Sequence, residues 1–392
     1  MLDFISSDFA SSKIIDSFIC TDIFSNSISE NNFSCIPPFS FLEKYIDAVL
    51  GPQSYHKFNN TLIKLEKNTE KINFTEFDVV DKFDNLNIIK NSDSNISAFI
   101  TIQEGCDKFC KFCVVPYTRG PEHSRSVKEI LEECRVVVGN GAREITLLGQ
   151  NVNAYNFEGK KLSNLIYEIS KINELKRIRY TTSHPIDFSQ DLINIYNQTE
   201  KLMPLIHLPV QSGSNKVLRN MNRKHTIEEY LNLVDILKKI NSSIKFSSDF
   251  IIGYPGETDK DFKDTLNLLK KVQFINSYSF IFSPRPGTPA FKMSQIDHNT
   301  SKKRLLIFQK TAEEIKIKYR KSLFGKKLRV LFENRSGKSK QFFGRDEHSN
   351  SVIAESDFNL KGEIKNVQII NGNHNTLFGE VNSKIGQNNH AA

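Results

Sequence analysis

The sequence contains no apolar run approaching the roughly 18 residues that a membrane span requires, and Asp3 and Asp8 interrupt its start where a secretory signal would be apolar. The protein is therefore expected to be cytoplasmic. Cysteine is scarce, six in 392 residues, and three of the six fall together at Cys106, Cys110 and Cys113. Thiols packed this closely do not resemble the framework of a disulfide-rich secreted domain, and in a reducing compartment they are expected to be metal ligands. No G-x-G-x-x-G follows any strand-like run, so a dinucleotide fold has no support. At this length the chain has room for two or three domains.

Acidic residues are few where basic ones are many. Residues 1–50 hold seven Asp or Glu against Lys13 and Lys44, whereas residues 302–345 hold fifteen Lys or Arg against Glu313, Glu314 and Glu333. A basic block of this kind fits a polyanion partner, because each neutralised phosphate releases condensed counterions; a solvated lysine-rich face is the competing explanation.

Between the two ends the chain alternates strand-like and helix-like segments. The runs "ISAFITIQ", "REITLLGQ", "RIRYTTSHP", "LIHLPVQSG", "KFSSDFIIGYPGE" and "YSFIFSPRPGT" read as six strands, separated by amphipathic helices. Two helices open with capping boxes, at Ser126 to Glu129 and at Thr226 to Glu229. Cys134 lies on the apolar face of the first and is expected to be a buried thiol, not a ligand. The pattern predicts an α/β fold whose parallel sheet is either doubly wound or curled into an incomplete barrel, and the lack of a dinucleotide motif favours the barrel. Every strand runs into a polar or Gly/Pro-rich stretch at its C-terminal end, and in barrel-type sheets the loops at that end converge on one cavity.

Three thiols instead of four fit this site. A structural zinc centre takes four protein ligands, whereas an iron-sulfur cube held by three thiolates leaves one iron open. C-x-x-x-C-x-x-C with Phe112 before the last cysteine resembles the signature of radical SAM enzymes, in which the open iron chelates S-adenosylmethionine and cleaves it to a 5'-deoxyadenosyl radical. The segments "EGCDKFCKFCVVPYTRGPEHSR", "LLGQNVNAY", "TTSHP", "HLPVQSGS", "MNRKHT", "SSDFIIGYPGET" and "SYSFIFSPRPGTPA" together resemble the radical SAM methylthiotransferases, and within them the branch acting on isopentenylated adenosine beside the tRNA anticodon. Sister branches modify threonylcarbamoyl-adenosine or a ribosomal protein. The resemblance runs from about Leu50 to the C-terminal region.

It implies a partial (β/α)6 radical SAM barrel over residues 94–324, with one 4Fe-4S cluster on Cys106, Cys110 and Cys113. Gln150 and Asn151 match a stretch that holds the methionine amino end of the cofactor. Ser183, Gln211, Ser212 and Asp249 end other strands, where they bind the carboxylate or ribose or else make loop-stabilising hydrogen bonds. Residues 325–385 contain five short strand-like runs, as in a small OB-like barrel, and resemble the TRAM RNA-binding domain. Lys326, Lys327, Arg329, Arg335, Lys338, Lys340 and Arg345 cluster there, with Phe342 and Phe343 as candidates for stacking on a base, a half-buried strand explaining one of the two equally well.

Residues 1–88 depart from the family, whose members begin with an α/β domain carrying three further cysteines for a second cluster. Here "SSKIIDSF" resembles that domain's first helix and "LGPQSYHKF" its end, but only Cys20 and Cys35 precede the main triad. A shortened or degenerate remnant is expected, and a second cluster is in doubt. Three readings stand: a working tRNA methylthiotransferase, an enzyme that cleaves S-adenosylmethionine without thiolating, and a non-catalytic tRNA-binding remnant. The expected partners are tRNA and an electron donor, with no membrane and the chain acting as a monomer.

Overall fold

The computed structural model describes residues 14–16, 46–67, 71–74, 95–336 and 340–381. The chain divides into two units, Met1–Asn87 and Ile88–Ala392. In the first, β1 (Ile14–Asp16), β2 (Ala48–Leu50) and β3 (Ile72–Phe74) form a parallel sheet with β2 in the middle. Helix α1 (Phe58–Lys67) lies between β2 and β3, and Ser54 donates its hydroxyl to the Phe74 carbonyl at 2.8 Å. The described part of the unit is thus α/β. The expectation of a helix within residues 11–18 is corrected: Ile14 and Ile15 are β-branched and pair with Ala48 and Val49. Cys20 and Cys35 lie outside the described residues.

The second unit begins with six parallel strands in sequence order: β4 (Ser97–Thr101), β5 (Glu144–Leu148), β6 (Arg177–Tyr180), β7 (Leu205–His207), β8 (Lys245–Ile252) and β9 (Asn276–Ile281). Ladders join β4, β5 and β6, and separately β7, β8 and β9. The two halves meet where Ile178 pairs with Leu202 and its N–H donates to the Lys201 carbonyl at 2.7 Å. Among the described residues no strand pairs with the outer edge of β4 or β9, so the barrel is open on that side. Phe99, Tyr278 and Phe280 are exposed on these two edge strands.

Crossover helices α2 (Val127–Gly139), α3 (Leu162–Ser170), α4 (Gln190–Gln198), α5 (Ile227–Ile240) and α6 (Asp259–Val272) cover the outside. Capping starts α5, where Thr226 and Glu229 exchange both bonds of a capping box; at α2 only the Ser126 hydroxyl accepts from the Glu129 N–H. Alternation along each strand then sorts the side chains by face. On β8, Phe246, Phe250 and Ile252 join the large apolar core with Cys134, whereas Ser247 and Asp249 line a cavity of about 530 Å³ with Thr146, Arg179, His207 and Tyr278. Residues further along the chain, among them Lys316, Arg320, Ser349 and Asn350, complete the wall of this cavity.

Helix α7 (His298–Lys321) leads to five further strands, β10 (Lys327–Arg335), β11 (Gln341–Arg345), β12 (Ser351–Glu355), β13 (Ile364–Gly372) and β14 (Thr376–Val381). They close into a small barrel in the order β10, β11, β12, β14, β13, around Val330, Phe332, Phe342, Val352, Val367 and Leu377. Phe342 is thus core, packed edge-on against Phe332, and is corrected as a base-stacking candidate. Phe343 is half-buried under the Arg345 guanidinium. Two arginines at the start of β6 fasten this barrel to the larger one. Arg177 donates from Nη1 to the Arg345 carbonyl and from Nη2 to the Arg329 carbonyl, both at 2.7 Å, and Arg179 donates to the carbonyls of Glu347 and Asp346.

Candidate functional site

The loop that carries the three thiols leaves β4 through a sharp turn. Gly105 sits at φ +82°, and a Cβ there would fall 2.0 Å from the Pro121 carbonyl oxygen, so only glycine fits. Its N–H donates to Gln150 Oε1 at 2.7 Å, and the Cys106 N–H donates to the Gly120 carbonyl at 3.1 Å. Two other loops tie down the far side. Lys111 donates its N–H to the Met221 carbonyl and accepts from the Ala290 N–H, while Asn222 Nδ2 donates to the Phe109 carbonyl at 2.8 Å. Phe112 packs under the loop with Met221, Tyr254 and Phe282.

Cys110 is buried and Cys106 and Cys113 are partly exposed. Burial pushes the Cys106 thiol up to about 12, with Glu122, Cys110 and Cys113 adding to the effect, and Cys113 is raised by burial and by Cys110. Arg223 reaches into the group, with Nη1 3.6 Å from the Cys110 sulfur and Nη2 donating to the Pro209 carbonyl at 2.6 Å. Two buried imidazoles flank it, His184 and His225, with ring centroids 5.9 Å apart.

Beside the thiols lies a polar network. Asn151 Nδ2 donates to Glu122 Oε1 and to Asp187 Oδ2, both at 2.8 Å, and Lys108 Nζ pairs with Asp187 Oδ1 at 2.9 Å. The Asn151 N–H donates to Gln103 Oε1. Asn151 Oδ1 and Ser183 Oγ are buried without a hydrogen-bond partner. Gln211 adopts a left-handed backbone, φ +76°, at the end of its strand, held by paired bonds to the Asp249 carbonyl and the Ile251 N–H. A side-chain-bearing residue in that conformation is strained, and such strain collects at ligand sites.

The Radical SAM superfamily profile matches residues 100–269 and the TRAM domain profile residues 321–382. The chain is 56% identical, over 343 residues, to the tRNA-2-methylthio-N(6)-dimethylallyladenosine synthase of Pelagibacter ubique, a match spanning 86% of this chain and 77% of that one. It is 47% identical over 344 residues to the synthase of the same name from Wolbachia pipientis of Culex pipiens, covering 86% and 78%. The chain belongs to the tRNA-2-methylthio-N(6)-dimethylallyladenosine synthase family. It is a radical SAM methylthiotransferase.

Membership in the radical SAM superfamily implies a 4Fe-4S cluster and S-adenosylmethionine, and the residues of this synthase-family chain fit both. Three thiols share one loop strapped from two sides, and Cys106 lies within electrostatic reach of both Cys110 and Cys113. The unpartnered oxygens of Asn151 and Ser183 fit a polar ligand at the strand ends.

The six polar residues picked out in the sequence are not equivalent in space. Gln150 faces the cysteine loop and holds Gly105. Ser212 turns away from the mouth: its hydroxyl meets Thr265 Oγ1 on α6 at 3.3 Å and accepts from the Ser214 N–H. The approach is close because Gly213 rests on α6, where a Cβ would fall 2.5 Å from the Thr265 Cα. Asp249 lines the interior cavity 3.4 Å from His207 Nε2. Sequence reasoning missed Gln103, Lys108, Glu122, Asp187 and Arg223. Lys108 and Glu122 lay within "EGCDKFCKFCVVPYTRGPEHSR", Gln103 at the end of "ISAFITIQ" and Arg223 within "MNRKHT"; Asp187 alone of the five lay outside every quoted segment.

Proposed function

We propose that this protein adds a methylthio group to C2 of N6-isopentenyladenosine beside the anticodon of tRNA. The observation that carries the reading is identity to named synthases along 86% of the chain, over a stretch that includes every loop at the barrel mouth. Residues 94–324 do the chemistry and residues 325–385 hold the RNA; the TRAM match and the basic block support that division. The electron comes from a separate donor protein, and the chain acts as a monomer in the cytoplasm. Among the described residues no helix is long and apolar enough to cross a membrane.

Cys106, Cys110 and Cys113 hold the cluster. Bound together, the cluster and S-adenosylmethionine supply the radical chemistry, and the protein supplies position. Asn151 and Ser183 offer buried oxygens to the methionine end of the cofactor, while the Lys108, Asp187 and Glu122 network fixes Asn151. Gln150 acts through the cysteine loop, and Gln211 presents its side chain from a strained strand end. Asp249, His207 and Tyr278 face the interior, where the substrate base enters.

Mass spectrometry of tRNA from cells that lack their own synthase but express this chain tests the reading. Appearance of 2-methylthio-N6-isopentenyladenosine is the expected result. Its absence, with 5'-deoxyadenosine still produced, replaces the reading with cofactor cleavage alone. Iron analysis of reconstituted protein should give about four irons per chain for one cluster, and about eight would place a second on the amino-terminal unit.

A further inference from the structure

We infer that Arg223 is a positioning residue that raises the reduction potential of the cluster, by placing an N–H donor and a fixed positive charge against the sulfur of Cys110. The inference rests on the reading of Cys106, Cys110 and Cys113 as cluster ligands.

The geometry is specific to this arginine. Its Nη1 stands 3.6 Å from Cys110 Sγ, within range of an N–H···S bond, and its Nη2 is anchored on the Pro209 carbonyl at 2.6 Å. The backbone is fixed as well. The Arg223 N–H donates to the Leu218 carbonyl, and the two preceding residues, Met221 and Asn222, bond the cysteine loop directly. A planar fork can satisfy the carbonyl with one nitrogen and the sulfur with the other, which a lysine on a flexible stem cannot reproduce.

The surroundings leave the charge unshielded. Arg223 is only 8% exposed, and its Nε has no hydrogen-bond partner. The neighbouring imidazoles add no positive charge of their own. Burial, followed by the repulsion of Arg223, holds His184 well below the ordinary histidine range and brings His225 down to about 3, so both are neutral. Two other cations act on the thiols, Arg285 on Cys113 and Lys108 on Cys106, and Lys108 is paired with Asp187.

A cluster gains one negative charge when it accepts one electron from its donor, with no bond made or broken. Hydrogen bonds to ligand sulfur and nearby positive charge stabilise the reduced form, and in a weakly solvated pocket both act strongly. Arg223 therefore eases the electron transfer on which cofactor cleavage depends.

The test is a redox titration of reconstituted full-length protein, followed by electron paramagnetic resonance, comparing wild type with Arg223→Gln, Arg223→Lys and Lys224→Gln. Lys224 is exposed on the same loop and controls for loss of a charge without contact. In Arg223→Gln the ratio of reduced to oxidised cluster at a fixed potential should fall by roughly tenfold or more, which is about 59 mV for a one-electron couple. Arg223→Lys should fall by less, and Lys224→Gln should match wild type. The Fe–S(Cys) stretching bands in resonance Raman should shift in Arg223→Gln, a signature that a purely structural role would not produce. An Arg223→Gln potential equal to that of Lys224→Gln overturns the inference. If Arg223→Gln does not retain a cluster, Arg223→Lys decides, and a wild-type potential there overturns it equally. Failure of the wild type to assemble any cluster would instead strike the underlying reading of the three cysteines.

Discussion

Replacing Arg177 by Ala should loosen the small barrel from the large one. Arg177 is 1% exposed, and its guanidinium donates to the Arg345 and Arg329 carbonyls at 2.7 Å and to the Asp346 carbonyl at 3.2 Å. Burial lowers its pKa to about 10, which keeps it charged at neutral pH. A hydrogen bond from a charged donor contributes about 1.5–3 kcal/mol, and two short ones, less the relief of the arginine's own desolvation, give a loss of roughly 3–5 kcal/mol. Arg179 remains bonded to the Glu347 and Asp346 carbonyls, so the junction should weaken without vanishing. In differential scanning calorimetry the transition should fall by roughly 5–10 °C or split in two. Limited proteolysis should open a site near residues 322–326, between α7 and β10. Arg177→Lys should recover less than half of the loss, because one ammonium cannot span both carbonyls. A melting curve and cleavage pattern identical to wild type would refute the account of how the two barrels are joined.

Two further outcomes can be checked directly. Lys326 and Lys327 are exposed at the start of the small barrel, so replacing both by Gln should weaken tRNA binding and flatten its logarithmic salt dependence by about one unit for each phosphate left without its lysine; an unchanged slope in filter binding would remove them from the interface. Glu257 is buried, and burial pushes its carboxyl up from the ordinary 4.5 to about 7 although Arg304 Nη1 lies 2.8 Å away. The folded state therefore holds that proton more tightly than the unfolded chain. Stability from this group is fully present below pH 4.5 and is lost as pH rises through 7. Melting temperatures measured from pH 5 to 8 should decline less in Glu257→Gln than in wild type, and parallel curves would contradict the assignment.

Much of this was legible in the residues. Six apolar runs separated by amphipathic stretches can bury their faces only as a parallel sheet with helices outside, and the described strands follow those runs in order. Capping at Thr226 and the burial of Cys134 were likewise local matters, set by side-chain chemistry and helical spacing. Phe342 and Phe343 show where local pattern stops. Both suit a strand, but only closure of the small barrel decides that Phe342 points inward against Phe332.

By itself the sequence determined the type of fold, the three thiols on one loop and the basic block toward the C-terminal end, because each is a property of residues near one another in the chain. Tertiary structure decided which polar residues meet. Ser212 and Gln211 are neighbours, yet one hydroxyl turns to Thr265 on α6 while the other residue takes a strained conformation at the strand end. Arg223 reaches Cys110 across 113 positions and Arg177 reaches Arg345 across 168. Such meetings depend on how loops from different strands converge at one end of a barrel, and no spacing within a single segment encodes that distance.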